Sequence, residues 1–196
     1  LQYRQSPGNE DLQWEVSRKQ NLGLELAVLN NMFNLNVEIY RDDRSKIFMS
    51  ASQRQIPTYF GATAVATNLG KTESKGYEIE FKFQNRSKFD LNYYFQWAFT
   101  HAKDKVIYRE DPGLLLDYQK SAGFQIGQNK NIFQHGYVNN WDEVYSSLSL
   151  SAGNTEKLPG DYNIADFNGD GTMDSYDSAP YSFPSRPQNT YNFTLG

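Results

Sequence analysis

The chain has 196 residues and a formal net charge of −4, with no cysteine and two histidines. Without a basic excess, neither nucleic acid nor an anionic lipid surface has support from overall composition, and without cysteine there is no disulfide framework or thiolate zinc site. No apolar run is long enough for a transmembrane helix, and Leu1-Gln2-Tyr3-Arg4-Gln5 lacks the apolar core of a signal peptide. Aromatic residues make up 15% of the chain, with 14 Tyr and 13 Phe. The mean hydropathy is nevertheless −0.73. Many aromatics in a polar chain point to strands with one apolar and one wet face.

In chain order, residues 1–11, with Pro7-Gly8-Asn9, read as a loop leading into the first strand. A strand is predicted over about 17–29, where Leu22, Leu24, Leu26 and Val28 alternate with polar or small residues. Asn30-Asn31-Met32 is a short turn. A second strand over 33–42 places Phe33, Leu35, Val37 and Ile39 on one face and Asn34, Asn36, Glu38 and Tyr40 on the other. Residues 42–75 read as a long loop. A third strand over 76–85 has Tyr77, Ile79, Phe81 and Phe83 against Glu78, Glu80, Lys82 and Gln84. A short turn around 86–90 follows. The fourth strand, 91–103, sets Leu91, Tyr93, Phe95, Trp97 and Phe99 against Asn92, Tyr94, Gln96, Ala98 and Thr100. Residues 104–189 form a second long loop, with room for short helices at 113–121 and 141–148. A fifth strand begins over 190–196.

These runs exceed the usual strand length of about 5–6 residues and approach the ~9–11 that a tilted membrane-spanning strand requires. Short turns alternate with long loops, as in an outer-membrane barrel. The fold class is therefore all-β: an antiparallel meander of long strands forming a segment of a transmembrane β-barrel, with long extracellular loops. Its polar face would line the lumen and its apolar face would meet outer-membrane lipid. The same alternation also fits a soluble β-sandwich, whose apolar face packs on a second sheet. A loop as long as 104–189 counts against that alternative.

Several motifs then occur in order. Leu12-Gln13-Trp14-Glu15-Val16-Ser17 runs into Asn21-Leu22-Gly23-Leu24-Glu25, and Asn68-Leu69-Gly70 precedes Gly76-Tyr77-Glu78. Gly123-Phe124-Gln125-Ile126-Gly127, Trp141-Asp142-Glu143-Val144 and Pro159-Gly160-Asp161 follow, the last ahead of Asp166-Phe167-Asn168-Gly169-Asp170-Gly171. In these segments the chain resembles the SusC-like TonB-dependent outer-membrane transporters of Bacteroidetes-type bacteria, with Ser74 standing where that family usually has Asn. The resemblance implies a 22-stranded barrel in the outer membrane of a Gram-negative bacterium. It also implies an N-terminal plug, energy coupling through TonB, a SusD-like lipoprotein lid, and import of glycans or peptides. No plug segment or TonB box is visible, so the chain reads as a middle-to-late piece of the barrel. Four complete strands are too few to close one, since closure takes at least about eight.

Asp166, Asn168, Asp170, Thr172, Asp174 and Asp177 fall at positions 1, 3, 5, 7, 9 and 12 of an EF-hand-type loop, with Gly171 at the turn. Oxygen ligands at this spacing wrap a hard cation, so calcium is the cofactor expected, with Thr172 supplying its backbone carbonyl. Asp177 replaces the usual Glu, as in the dockerin-like loops that this segment resembles. No amphipathic helices flank it. The same residues equally suit an acidic turn held by Asx hydrogen bonds without metal.

Glu25, Glu38, Glu78 and Glu80 share the polar face, but nothing singles out an acid/base pair among them. Tyr40, Tyr94 and Trp141 are candidates for stacking on sugars, and Tyr77, Tyr93, Trp97 and Phe99 for interfacial anchors. His101 and His135 have no partner motif, so no catalytic role is assigned and an enzyme is not expected. A transporter segment is the preferred function. A soluble calcium-stabilised β-domain for adhesion or glycan binding is the alternative, and a carbohydrate-active enzyme the third.

Overall fold

The computed structural model describes residues 8–54, 64–150 and 157–196. The loop expected over 1–11 therefore lies partly outside the described residues. In chain order the elements are β1 (Val16–Val28), β2 (Phe33–Met49), β3 (Thr67–Arg86) and β4 (Asn92–Tyr108). Six two- to four-residue strands follow: β5 (Lys130–Asn131), β6 (Gln134–Tyr137), β7 (Ser149–Leu150), β8 (Tyr162–Ile164), β9 (Thr172–Met173) and β10 (Ala179–Pro180). The helix α1 (Trp141–Ser146) lies between β6 and β7, and β11 (Asn189–Leu195) ends the order. The chain divides into two compact units. The first comprises Leu1–Pro112, Ser121–Ile126 and Arg186–Gly196, and the second Gly113–Lys120 and Gly127–Ser185.

The first unit is one five-stranded sheet in the order β1-β2-β3-β4-β11, antiparallel throughout. Both expected turns are present. Leu29, Asn30 and Asn31 all take positive φ, at 52°, 55° and 63°. Asn tolerates that conformation better than most side chains. At the second turn the Ser87 N–H donates to the Leu91 carbonyl at 2.8 Å, and Asp90 has φ 61°.

Register turns five separate alternations into two continuous faces. Leu24 pairs with Val37, Val37 with Ile79, Ile79 with Phe99, and Phe99 with Tyr191. The next rows run Leu26-Leu35-Phe81-Trp97-Phe193 and Val28-Phe33-Phe83-Phe95-Leu195. Side chains opposite one another share a face, so every apolar residue of the pattern lies on one side. Aromatic neighbours touch across the strands, as in Phe33 and Phe83 with ring centroids 5.0 Å apart and Phe83 and Tyr93 at 5.9 Å. Such pairs contribute about 0.5–1 kcal/mol each. Among the described residues of the unit, none covers this face. Leu22 and Leu24 are 73% and 54% exposed, and Phe193 and Leu195 61% and 78%. A soluble monomer rarely leaves an apolar area this continuous open to water.

Three strands outrun their sequence-based bounds. β2 extends to Met49 where an end near 42 was expected, β3 starts at Thr67 rather than 76, and β4 reaches Tyr108 rather than 103. Of the loop placed at 42–75, residues 42–49 and 67–75 are therefore strand. Directly beyond the apolar rows, residues 41–46, 71–75 and 103–105 are polar on both faces of the sheet. Backbone pairing continues there without any hydrophobic alternation to mark it. The register shifts at Ile47 and beside Lys71 fall in these extensions, and Lys46 at the first takes φ 55°. Such bulges sharpen the local twist of a strand pair.

The second unit is built of turns around a small core of Val138, Val144, Ala165 and Ala179. The helix expected within 141–148 is α1, capped by Asn140, whose side chain accepts from the Glu143 N–H at 2.9 Å. The helix considered at 113–121 is absent. Leu116 and Gln119 instead close a local turn through their backbone and the Gln119 amide, and the Lys120 ammonium pairs with Asp117. That pairing holds the Asp117 carboxyl below the ordinary carboxylate range.

Candidate functional site

The wet face of the sheet is built row by row from the same register. Gly23, Glu38, Glu78 and Thr100 form one row, and Glu25, Asn36, Glu80 and Ala98 the next. Glu38 and Glu78 stand directly opposite, a like-charge pairing that is unfavourable unless polar neighbours relieve it. The Asn21 amide donates to Glu38, and the Gln96 amide donates to Glu80 at 2.6 Å. Glu38 and Glu80 are thus tied by amide donors into a polar wall that they share with Glu25 and Glu78.

Toward the long-loop end this wall deepens into a groove of about 480 Å³ lined by Lys19, Tyr40, Asp42, Arg44, Asp104 and Arg186, among others. Asp42 is held by the Ser17 hydroxyl at 2.6 Å and by Arg44 Nε at 3.0 Å. The Asp104 carboxylate accepts from the Ile126 N–H at 2.9 Å. Both acids are thereby fixed in place, while Lys19 and Arg186 form no ion pair with any described residue. A groove that offers cations, anions and a phenol can hold polar solutes by hydrogen bonds and charge.

Tyr40 is positioned by Gly76. A Cβ at residue 76 would collide with the Tyr40 phenol ring and with the His101 carbonyl. The ring therefore lies across the glycine and fills the gap left by the missing side chain. Gly76→Ala should destabilise the folded barrel by about 1–3 kcal/mol, as overpacking typically does. Thermal unfolding of the purified full-length protein checks this. Gly23→Ala is the control, because a Cβ there would meet only the Val37 carbonyl, at 3.9 Å.

The other aromatics sort by position. Tyr77 and Tyr93 lie at opposite rims of the apolar face, whereas Trp97 and Phe99 lie within it, away from either rim. Tyr94 packs against Gly196, and Trp141 opens α1 beside Tyr145. His101 lies within β4, stacked on Tyr77 at 5.2 Å, with Nδ1 2.7 Å from the Asn189 side-chain oxygen. His135 falls in β6.

The acidic loop belongs to the second unit. Asp166 accepts from the N–H groups of Gly169 and Gly171 at 2.6 and 2.9 Å. Asp170 accepts from Thr172 N–H at 2.7 Å and from the Asn168 amide at 2.8 Å, and Asp174 from Tyr176 N–H at 2.7 Å. Asp177 is fully buried and accepts from Phe167 N–H and Asp174 N–H, each at 2.9 Å. Gly169 and Gly171 take φ of 76° and 79°, which the turns require. All six expected residues are thus in one loop, tied together by Asx bonds. Among the described residues, no group of three or more His, Cys, Asp or Glu is placed to hold a metal ion. Burial and the charge of Asp177 push the neighbouring Tyr118 phenol above its ordinary range.

A long-stranded antiparallel sheet with one uncovered apolar face and one wet, charged face defines a wall segment of a membrane β-barrel. A family model described as TonB dependent receptor-like, beta-barrel, matches residues 2–196, and the chain belongs to that family. It is a family of transporters and receptors rather than an enzyme class. The chain is 27% identical over 205 residues to TonB-dependent receptor P3 of Formosa agariphila, covering 96% of this chain and 19% of that protein. It is 28% identical over 185 residues to TonB-dependent receptor SusC of Bacteroides thetaiotaomicron, covering 90% of this chain and 17% of SusC. The chain thus spans less than a fifth of these relatives. Among solved structures, the RagAB peptide importer in its open-open state superposes with a TM-score of 0.65 at 16% identity, covering 97% of this chain and 20% of that one. That likeness establishes the shared fold.

Proposed function

We propose that this chain forms part of the wall and extracellular loops of a SusC-like, TonB-dependent importer in the outer membrane of a Gram-negative bacterium. The in-register apolar face, uncovered across five strands, carries the proposal. It needs lipid on that side and further strands to close the barrel. The groove around Lys19, Asp42, Arg44 and Arg186 then faces the lumen and contacts passing solute. Its mixed charges favour short peptides or charged oligosaccharides over neutral glycans. TonB supplies the energy coupling, and a SusD-like lipoprotein is the partner over the extracellular loops. Support comes from family membership and from likeness to SusC and the RagAB importer. Uptake of labelled oligopeptides and oligosaccharides by cells carrying the full-length protein, with and without TonB, tests it. TonB-independent uptake, or none of either class, would overturn it.

For the acidic loop, calcium is proposed as a structural clamp and not as a catalytic ion. Asp166, Asn168, Asp170, Asp174 and Asp177 retain further oxygen lone pairs beyond their Asx bonds, and Thr172 offers its carbonyl. Calorimetry of the folded full-length protein with millimolar CaCl2 should detect binding that Asp170→Ala greatly weakens. Absence of calcium-specific heat would leave the Asx turns as the loop's whole structural role.

A further inference from the structure

The outward face carries a charge asymmetry that overall composition conceals. At the short-turn end, the row beyond the apolar residues is Asn85 and Tyr93, without charge. At the long-loop end, Leu22, Ile39, Tyr77 and His101 form the last row of the continuous apolar face. The next row on the same face is Gln20, Arg41, Lys75 and Lys103, and the one after it is Arg18, Asp43, Glu73 and Lys105. Five cations thus stand against two carboxylates at one edge of the apolar face. Arg41 pairs with Asp43 and with Glu73, at 2.9 and 2.6 Å, and Lys75 pairs with Glu73 at 2.7 Å. Arg18, Lys103 and Lys105 are exposed and form no ion pair with any described residue. Leu22, Ile39, Arg41, Lys75, Tyr77 and Lys103 border a shallow, mainly apolar depression of about 580 Å³.

We infer that this edge binds the phosphate-bearing headgroups of lipids in the outer leaflet, with acyl chains lying along the Leu22–Ile39–Tyr77 side of the depression. The cations stand next to the last row of the continuous apolar face, so the two surfaces an amphipathic lipid needs, apolar for its chains and cationic for its headgroup, adjoin on the same side of the sheet. Cations at that level attract anionic headgroups, and Arg41 brings a planar fork suited to phosphate oxygens. The two acids keep Arg41 and Lys75 extended along the sheet, and the unpaired lysines and Arg18 supply the excess positive charge. The inference rests on the outer-membrane topology proposed above, because it assigns the long-loop end to the outer leaflet.

The test uses the full-length protein in mild detergent, with native mass spectrometry and lipid A or phosphatidylcholine as probes. Lipid A should bind preferentially. Arg41→Gln/Lys75→Gln/Lys103→Gln should weaken that binding by at least about ten-fold, since each basic residue near an anionic headgroup layer contributes several-fold. Lys82→Gln, on the wet face, should leave it unchanged. Equal lipid A binding by the triple variant and the parent would overturn the inference, as would an acidic protein cross-linking at these positions in place of lipid. Topology is read separately, by labelling Lys103→Cys in intact cells with an impermeant maleimide. Labelling from outside together with unaltered lipid binding sinks the headgroup site alone. Labelling only after the outer membrane is broken overturns the topology beneath it.

Discussion

Ile79→Arg in the full-length protein should lower barrel stability by about 2–4 kcal/mol, the cost of a cation near the bilayer midplane on a lipid-facing strand. Ile79 lies within the apolar rows, between Val37 and Phe99. Glu80→Gln, one residue away on the opposite face, should change stability by less than about 0.5 kcal/mol, as exposed polar substitutions usually do. Glutamine keeps an oxygen to accept the bond from the Gln96 amide. Denaturant unfolding of the protein in lipid vesicles measures both. Equal losses from the two substitutions would contradict the sidedness of the sheet.

Deleting residues 120–150 should abolish or sharply reduce uptake while the barrel still inserts. Both short turns, at 29–32 and 87–91, lie at one end of the meander, because β1–β2 and β3–β4 are antiparallel neighbours. The connections between β2 and β3 and between β4 and β11 must leave from the other end. In an outer-membrane barrel the long connections are extracellular. Loops tolerate deletion far better than spanning strands, so insertion survives while contact with solute or lid is lost. Protease added to intact cells should cut within 113–185 unless a lid shields it, and should spare Asn30-Asn31 and Ser87-Lys88. The reverse pattern would invert the topology.

Period-2 alternation in the sequence was enough to locate five strands, their two tight turns and the partition of residues between faces. Leu24, Val37, Ile79 and Phe95 fall on the apolar side, and Glu25, Glu38, Glu80 and Gln96 on the wet one. Alternation is legible because lipid or its substitute demands apolar residues on one face only. The same physics explains what alternation misses. Past the apolar rows, water reaches both faces, and Asp42-Asp43-Arg44 looks like a loop although its backbone stays in the ladder with β3. The groove residues Lys19, Asp42, Arg44 and Asp104 lie in or beside these unmarked extensions, and Arg186 just before β11, so no local pattern singled them out.

Pairing across strands settled the rest. Net charge over the chain is −4 and by itself lends no support to an anionic lipid partner. Yet Arg41, Lys75 and Lys103 are remote in sequence and become one row only when register aligns them. Gly76 reads only as the first residue of the third strand until Tyr40 is seen lying across it. The acidic loop shows the opposite balance. Its six residues are contiguous, so spacing alone identified the turn, but the direction of each carboxylate depends on which N–H groups the folded backbone presents. Local spacing carries the chemistry available to a short segment, whereas alignment between distant strands decides which charges act together.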